Sequence, residues 1–288
     1  MSVVAPVELA CAAVLGLYVA AAGSGRAALA DVLLLGAGAW VGEEICIRGY
    51  HAYAYAPAWH LFLDRLPLAV LLTWPAVILS GRAVAKLLSG AIAARGRGGE
   101  ALPSSPEEAI PVRAHLPIAL WTGLVVWFDA SLVEPVATHA GLWHWNLPGP
   151  FSVPLVGPLG WGFYAAAGVW CLDRLRGGWR LATVLLAPAL AHLLILASWW
   201  GALRWVAAPW PESVALVAGL GFCGVATLVA LRARRGGRLA WREAVPRAGA
   251  AAVFFALLGV RPDAALALFA LAFAPPWLAL LPSPARPR

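Results

Sequence analysis

Residues 127–161 read WFDASLVEPVATHAGLWHWNLPGPFSVPLVGPLGW, and they place two acids, Asp129 and Glu134, near the end of an apolar run. A short Trp-rich loop follows, and the next apolar run opens on Pro and Gly. A charged side chain inside a bilayer costs free energy, so an acid in a membrane helix usually has a function. We therefore interpret this stretch as the floor of an active site whose walls come from the rest of the chain.

The composition is typical of a polytopic membrane protein. Of the 288 residues, 62% are hydrophobic and 12% are charged, whereas soluble domains carry about 25% charged residues. Apolar runs recur at about 20 residues, the length of a membrane-spanning helix. We predict an all-α transmembrane bundle of eight or nine spans, forming a single integral membrane domain over residues 1–288. The candidate spans are 3–22, 27–47, 66–88, 114–137, 153–173, 181–206, 213–231, 248–260 and 263–281.

Two further features concern the organisation of the chain. The polar segment 89–113 is rich in Gly, Pro, Ser and charges, which predicts a flexible cytoplasmic loop. The eighth span is short, so the last two could form a re-entrant pair or one broken hairpin. No internal repeat is evident. The four cysteines stand alone in apolar runs, which favours small buried side chains over disulfides or metal ligands.

Basic residues alternate between the loops. With the N-terminus outside, all of the 21 basic residues except Arg48, Arg65, Arg204 and Arg261 fall on the cytoplasmic side. The positive-inside rule therefore favours an outer N-terminus and a cytoplasmic C-terminus, and we expect the bacterial inner membrane. Since membrane topology accounts for the distribution of the basic residues, they need not bind nucleic acid. We expect membrane lipid as a partner and no nucleic acid.

This topology brings the acids together in the outer half of the membrane. The second span ends at Glu43 and Glu44, and the fourth carries Asp129 and Glu134 towards the same side. Adjacent residues on a helix point about 100° apart, so one of Glu43 and Glu44 can face the bundle. The other can pair with Arg48, four residues on.

The aromatic residues beside these acids suggest a chemistry. Trp143 and Trp145 flank His144, and aromatic faces stabilise cations. A carboxylic acid in a dry apolar pocket stays protonated and can act as a general acid. Together these properties suit protonation of an isoprenoid double bond, followed by capture of the carbocation by water or by another alkene.

Residues 40–165 resemble the carotenoid-biosynthesis membrane-protein family that includes the carotenoid 1,2-hydratases and bisanhydrobacterioruberin hydratase. That family has an acid in a mid-chain helix, an acid-Pro-Val step, a Gly-x-Trp-x-Trp loop and a Val-Pro-Leu…Leu-Gly-Trp continuation. The matching positions are Asp129, Glu134-Pro135-Val136, Gly141 to Trp145, Val153-Pro154-Leu155 and Leu159-Gly160-Trp161; upstream, Glu44, Gly49, Tyr53 and Tyr55 match a Glu…Gly…Tyr-x-Tyr element, and Pro67-Leu68 through Trp74 match a Pro-Leu…Trp stretch.

The resemblance implies a lipophilic isoprenoid or carotenoid substrate and a hydratase that adds water to a terminal alkene. We expect Asp129 to be the essential acid and Glu44 its partner, with Glu134 and Glu43 as further candidates. Trp143 and Trp145 would stabilise the cation. The other expected substrate-binding residues are His144, Tyr53, Tyr55, Trp161 and Trp74. We expect neither a metal nor a cofactor, because no ligand spacing and no nucleotide motif is present.

Three alternatives remain open. Small lycopene cyclases also use intramembrane acids with Trp-rich loops, so a terpene cyclase is one of them. Glu43-Glu44 with Arg48 looks like the first motif of the CPBP-type intramembrane proteases, for which His60 and Asp64 would be the later pair. A carrier or membrane scaffold, in which the acids line a polar path, is the third.

Overall fold

The structure is a computed structural model that describes residues 3–21, 26–96, 115–206 and 208–282. Helices dominate, which confirms the all-α class. They are α1 (Val4–Ala21), α2 (Arg26–Glu44), α3 (Leu68–Gly96), α4 (His115–His139), α5 (Val156–Arg174), α6 (Thr183–Ser198), α7 (Arg204–Val206), α8 (Glu212–Ala233), α9 (Trp241–Leu257), α10 (Ala264–Leu271) and α11 (Ala274–Leu280). Four short strands are β1 (Tyr53–Tyr55), β2 (Phe62–Leu63), β3 (Leu66–Pro67) and β4 (Trp143–Trp145).

Five stretches of helix in the described part of the chain are long and apolar enough to cross a membrane. They are Val4–Ala21, Leu68–Gly90, Leu116–His139, Gly177–Val206 and Glu212–Ala233. This number is compatible with an integral membrane protein, but it does not reach the predicted eight or nine spans. Helices α2 and α5 lie where spans are predicted and have 19 residues each, but they are less apolar than these five stretches.

The C-terminal helices differ from their predicted bounds. Helix α9 begins at Trp241, seven residues before the predicted span 248–260. Charged side chains in its first turns interrupt the apolar pattern, so the sequence did not indicate this start. The predicted span 263–281 is broken into α10 and α11. The predicted start of the loop 89–113 is wrong, because residues 89–96 continue α3. The rest of the predicted loop, residues 97–113, lies outside the described residues.

Helices α4 and α5 pack closely at a pair of glycines. A Cβ atom on Gly123 would lie 2.8 Å from the carbonyl oxygen of Gly162, and a Cβ on Gly162 would lie 2.8 Å from that of Gly123. Small residues let helix backbones approach in this way. The close approach sets α5 against the segment of α4 that carries Asp129 and Glu134, and Trp161 directly precedes Gly162.

Strands β1 and β4 form an antiparallel ribbon, although they are about 90 residues apart in the chain. Tyr53 pairs with Trp145, and Tyr55 pairs with Trp143. Side chains alternate between the two faces of a strand. The ribbon therefore gathers these four aromatic side chains on one face, while His144 points to the other.

At the opposite end of the helices, arginines tie separate elements together. Arg82 on α3 pairs with Asp173 on α5, and Arg180, which precedes α6, pairs with Asp31 on α2. These pairs lie near the start of α2 and the end of α5, far along the helices from Glu43 and Glu134. They hold the bundle together at the end where the sequence places most of its basic residues.

Candidate active site

A cavity of about 370 Å³ lies between the aromatic ribbon and helices α2, α5 and α6. Its polar lining includes two acids, Glu43 from the end of α2 and Glu134 from α4. The aromatic lining comprises Tyr50, Tyr53, Tyr55, Trp74, Trp143, Trp145, Trp161, Tyr164, Trp199 and Trp200. The cavity is thus an apolar, aromatic space with carboxyl groups in its wall, as small-molecule sites in proteins commonly are.

Glu134 is the most completely bonded polar group of the cavity. Only 2% of its surface is exposed, and its carboxylate accepts three indole N–H groups. Trp143 and Trp145 donate to Oε2 at 2.9 Å each, and Trp161 donates to Oε1 at 2.5 Å. An indole N–H can only donate, so all three bonds require the carboxyl oxygens to act as acceptors.

Glu43 has a different set of partners. The hydroxyls of Tyr53 and Tyr55 both donate to its Oε2, Tyr55 at 3.0 Å. Burial, together with the nearby Glu43 carboxylate, raises the pKa of Tyr53 and of Tyr55 well above the usual range, so both phenols keep their protons. A tyrosine hydroxyl can also accept, so this site accommodates either protonation state of Glu43.

The two acids belong to two similar segments of the chain, a repeat that the sequence analysis missed. In each, an acid lies in the last two turns of a helix, an aromatic-x-aromatic strand follows the acid after eight or nine residues, and a Pro-Leu-x5-Trp sequence lies at the start of the next helix. The first segment contains Glu43, Tyr53-x-Tyr55 and Pro67-Leu68…Trp74; the second contains Glu134, Trp143-x-Trp145 and Pro154-Leu155…Trp161. The strands pair with each other, and the rings of Trp74 and Trp161 are in contact. The segments thus meet around one cavity.

Asp129, the expected essential acid, does not line this cavity. Its carboxylate pairs with Arg247 of α9, whose guanidinium also donates to the Ser80 hydroxyl at 2.9 Å and lies 4.1 Å above the Trp277 ring. The Asp129 side chain is 19% exposed and the Arg247 side chain is 13% exposed. Asp129 therefore joins α4 to α9, through a partner 118 residues away that no local pattern indicates.

Two other expected site residues also lie elsewhere. Glu44 bonds to Arg48 at 2.6 Å, so of the two adjacent acids it is Glu43 that faces the cavity. His144 is exposed and lies outside the cavity lining, because the alternation of β4 points it away from Trp143 and Trp145. The period-two spacing of the strand could have identified this direction from the sequence.

The residues expected for a protease form surface contacts. The ring of His60 contacts Glu8 at 2.7 Å, and Asp64 pairs with Arg48. Neither His60 nor Asp64 lines the cavity that contains Glu43. The described residues contain no group of three or more His, Cys, Asp and Glu side chains that could hold a metal ion.

His192 is a cavity residue that the sequence analysis did not identify. It comes from the middle of α6, where a lone histidine in an apolar helix carries no motif. Its ring is buried, lies 5.4 Å from the Tyr50 ring and contacts the backbone of Gly42, the residue before Glu43. The His192 ring is thereby fixed beside one of the two acids.

The fold and the site define a helical protein, compatible with a membrane location, in which two carboxyl groups, one buried and one partly buried, face one aromatic cavity. No protein-family model, no curated protein and no solved structure matches the chain. Function is therefore inferred from the chemistry of the site, since a fold alone does not determine it.

Proposed function

We propose that this chain is an integral membrane enzyme that adds water to a terminal alkene of an isoprenoid or carotenoid. The observation that carries the proposal is that a partly buried acid, Glu43, and a buried acid, Glu134, converge on a single aromatic cavity. Buried acids in apolar surroundings are costly, and their convergence on one space indicates a chemical role.

The reaction needs only a proton and water. A protonated carboxyl group donates its proton to the less substituted alkene carbon, and the π electrons form the new C–H bond. The other carbon becomes a tertiary cation, which a lone pair of water attacks to form the C–O bond. The excess proton on oxygen then returns to the carboxylate, so the acid is regenerated and the product is a tertiary alcohol.

The hydrogen bonds favour Glu43 as the proton donor. Tyr53 and Tyr55 both bond to the same oxygen, Oε2, and their hydroxyls adapt to either protonation state. Glu134 is held as an acceptor by three donors on both of its oxygens, which matches the ionised form. We propose that Glu134 is the anion that stabilises the developing cation. Glu43 thus takes the role of essential acid expected for Asp129, and Glu134 takes the partner role expected for Glu44.

The aromatic wall supports a cationic intermediate. The rings of Tyr53 and Trp145 lie 4.7 Å apart, and those of Tyr55 and Trp143 lie 5.8 Å apart across the ribbon. A cation above such faces is attracted by about 0.5–2 kcal/mol per ring, more where water is excluded. The wall also keeps bulk water from capturing the cation at the wrong carbon.

The size of the cavity suits the end of a long chain. Ligand sites commonly measure roughly 300–1,000 Å³, so a cavity of about 370 Å³ is small. Two lining residues, Leu196 and Trp200, are also exposed at the protein surface. We propose that the substrate lies among lipids there and inserts its terminal isoprene unit, from the outer half of a bacterial inner membrane.

The test is expression in a cell that accumulates lycopene, followed by chromatography and mass measurement of the extracted pigments. The proposal expects a gain in mass of one water per modified end. A Glu43→Gln variant, expressed at the same level, should yield unmodified lycopene.

Two other results would each contradict hydration. Products of unchanged mass but altered retention would mean that an alkene, rather than water, captures the cation, as in a cyclase. Unmodified pigment with lycopene and with shorter acyclic isoprenoids would leave a carrier or a protease.

A further inference from the structure

His192 lines the cavity, and one of its ring nitrogens has no hydrogen-bond partner in the described part of the chain. The residue is 8% exposed and lines the cavity next to Glu43. Its Nε2 lies 3.2 Å from the carbonyl oxygen of Gly42. Its Nδ1 is buried and has no hydrogen-bond partner in the part of the chain that the structure describes.

The Gly42 contact determines which nitrogen carries the proton. A carbonyl oxygen can only accept, so Nε2 must donate. In the neutral ring Nδ1 is then a bare acceptor. A buried acceptor without a partner is costly, so the arrangement is stable when a ligand or a water donates to Nδ1.

Trp74 supplies the complementary group. Its ring is 3% exposed and lines the same cavity, and its Nε1 has no partner among the described residues. The equivalent tryptophan of the second segment, Trp161, donates to Glu134. Two residues that line one cavity therefore each carry an unused polar atom on a buried ring, an acceptor on His192 and a donor on Trp74.

We infer that His192 and Trp74 bind a hydroxyl group of the ligand. A hydroxyl donates one hydrogen bond, to Nδ1 of His192, and accepts another, from Nε1 of Trp74. The inference rests on the proposed function: the hydroxyl is that of the attacking water before the reaction and of the tertiary alcohol after it. His192 is thus a binding residue that selects an alcohol over a hydrocarbon of the same skeleton.

The test compares two ligands in the purified full chain in lipid nanodiscs. The probes are tetrahydromyrcenol, a tertiary isoprenoid alcohol, and the saturated hydrocarbon of the same skeleton, each titrated at equal mole fraction in the lipid. Ligand-induced shifts of Tm give the two apparent Kd values. The native chain should bind the alcohol about three- to tenfold more tightly, as one or two net hydrogen bonds provide.

Two substitutions at His192 separate binding from structure. His192→Gln keeps a donor near Nε2 for the Gly42 carbonyl but removes the Nδ1 acceptor, so the preference for the alcohol should disappear. His192→Asn places an amide oxygen near the Nδ1 position and should retain most of the preference. A purely structural His192 would weaken both ligands equally and leave their ratio unchanged, which would overturn the inference.

Further variants keep the test decisive. If His192→Gln does not fold, Trp74→Phe removes the donor alone and should also reduce the preference; an unchanged ratio would overturn the inference. His144→Gln, at an exposed histidine outside the cavity, is the matched control and should behave like the native chain.

The pigment assay is read separately. A native chain that prefers the alcohol but does not hydrate lycopene would support the hydroxyl site and reject the hydratase. A chain that hydrates lycopene but binds both probes equally would support the hydratase and reject the hydroxyl site.

Discussion

At the scale of single residues, the two acids of the cavity differ in how their hydrogen bonds are distributed. Both partners of Glu43 bond to one oxygen, Oε2. The partners of Glu134 occupy both oxygens, and all are N–H donors. The same substitution, carboxylate to amide, should therefore have different structural effects at the two positions.

In Glu134→Gln, the amide oxygen can accept from Trp143 and Trp145, but the amide NH₂ then faces the N–H of Trp161. A buried indole donor left unpaired should lower the free energy of unfolding by about 1–3 kcal/mol. Thermal denaturation in detergent should show a lower Tm. Adding Trp161→Phe removes one of the two opposed donors and should restore part of the loss; a double variant no more stable than the single one would contradict this explanation.

In Glu43→Gln, one amide oxygen can accept from both tyrosines, so the Tm should stay close to that of the native chain. The amide cannot supply the proton, and general acids contribute roughly 10²–10⁴-fold to rate. Hydration of lycopene should fall by that factor in membranes containing equal amounts of protein. Retained activity would remove Glu43 from the mechanism.

Asp129→Asn should act through stability. It leaves the mostly buried Arg247 without its counter-charge, which costs on the order of 3 kcal/mol in other buried pairs. Activity per folded molecule should remain, because Asp129 lies outside the cavity lining. Replacing both partners, Asp129→Leu with Arg247→Met, should recover most of the Tm. A fully folded Asp129→Asn chain without activity would contradict this prediction and show that Asp129 is needed for the reaction.

Individual residues were predictable where the pairing is local. The i,i+4 spacing of Glu44 and Arg48 indicated that one of the two adjacent acids would be paired and the other free to face the bundle, and the structure assigns these roles to Glu44 and Glu43. The partner of Asp129 and the cavity position of His192 depend on contacts between distant helices. No local spacing contains that information.

At the scale of elements, the ribbon of β1 and β4 explains why a Trp-rich loop forms a site. Trp143, His144 and Trp145 are neighbours in the sequence, but a strand divides them between two faces. The pairing of β1 with β4 also required the two similar segments to be recognised, since neither strand is long enough to be predicted by itself.

The two faces of β4 provide a matched test. Trp145→Phe keeps the ring but removes the N–H that bonds Glu134, and it should reduce both Tm and activity. His144→Ala, one residue earlier on the exposed face, should change neither. Equal effects of the two substitutions, measured by pigment yield and thermal denaturation, would contradict the assigned direction of the strand.

The crossing of α4 and α5 gives a second test at this scale. In Gly162→Ala the new methyl group would meet the backbone carbonyl of Gly123, which no side-chain rotation can relieve. The helices should separate, weaken the bond of Trp161 to Glu134 and lower the Tm. Gly224→Ala on α8, where nothing lies within 4 Å of the added methyl group, is the control and should leave the Tm unchanged. An unchanged Tm for Gly162→Ala would contradict the close approach of α4 and α5.

At the scale of the whole molecule, composition was sufficient to predict the helical class but not the number of crossings. Apolar side chains can be buried in lipid or in protein, so an apolar run does not by itself show a membrane crossing. Helices α2 and α5 are long enough to be spans, but they are less apolar than the other five stretches. The broken α10–α11 pair is a further case, because its two short helices lie within one continuous apolar run.

The orientation of the bundle is open to direct measurement. The ribbon and both acids lie at one end of the helices, whereas the arginines that follow α8 lie at the other. The positive-inside rule places the arginine end in the cytoplasm and hence the ribbon outside. Cysteine substitutions at the exposed positions His144 and Arg235 can report these two ends in a chain whose four native cysteines are replaced by alanine or serine.

A membrane-impermeant maleimide should label the His144→Cys chain in intact cells and the Arg235→Cys chain only after the cells are opened. The opposite pattern would place the ribbon in the cytoplasm, and labelling of both in intact cells would mean that the two ends are not separated by the membrane. The expected result would also locate the chemistry, because a cavity beside the ribbon receives its water from the outer aqueous phase and its alkene from the outer leaflet. Hydration would then occur at that boundary, where both reactants are available without crossing the bilayer.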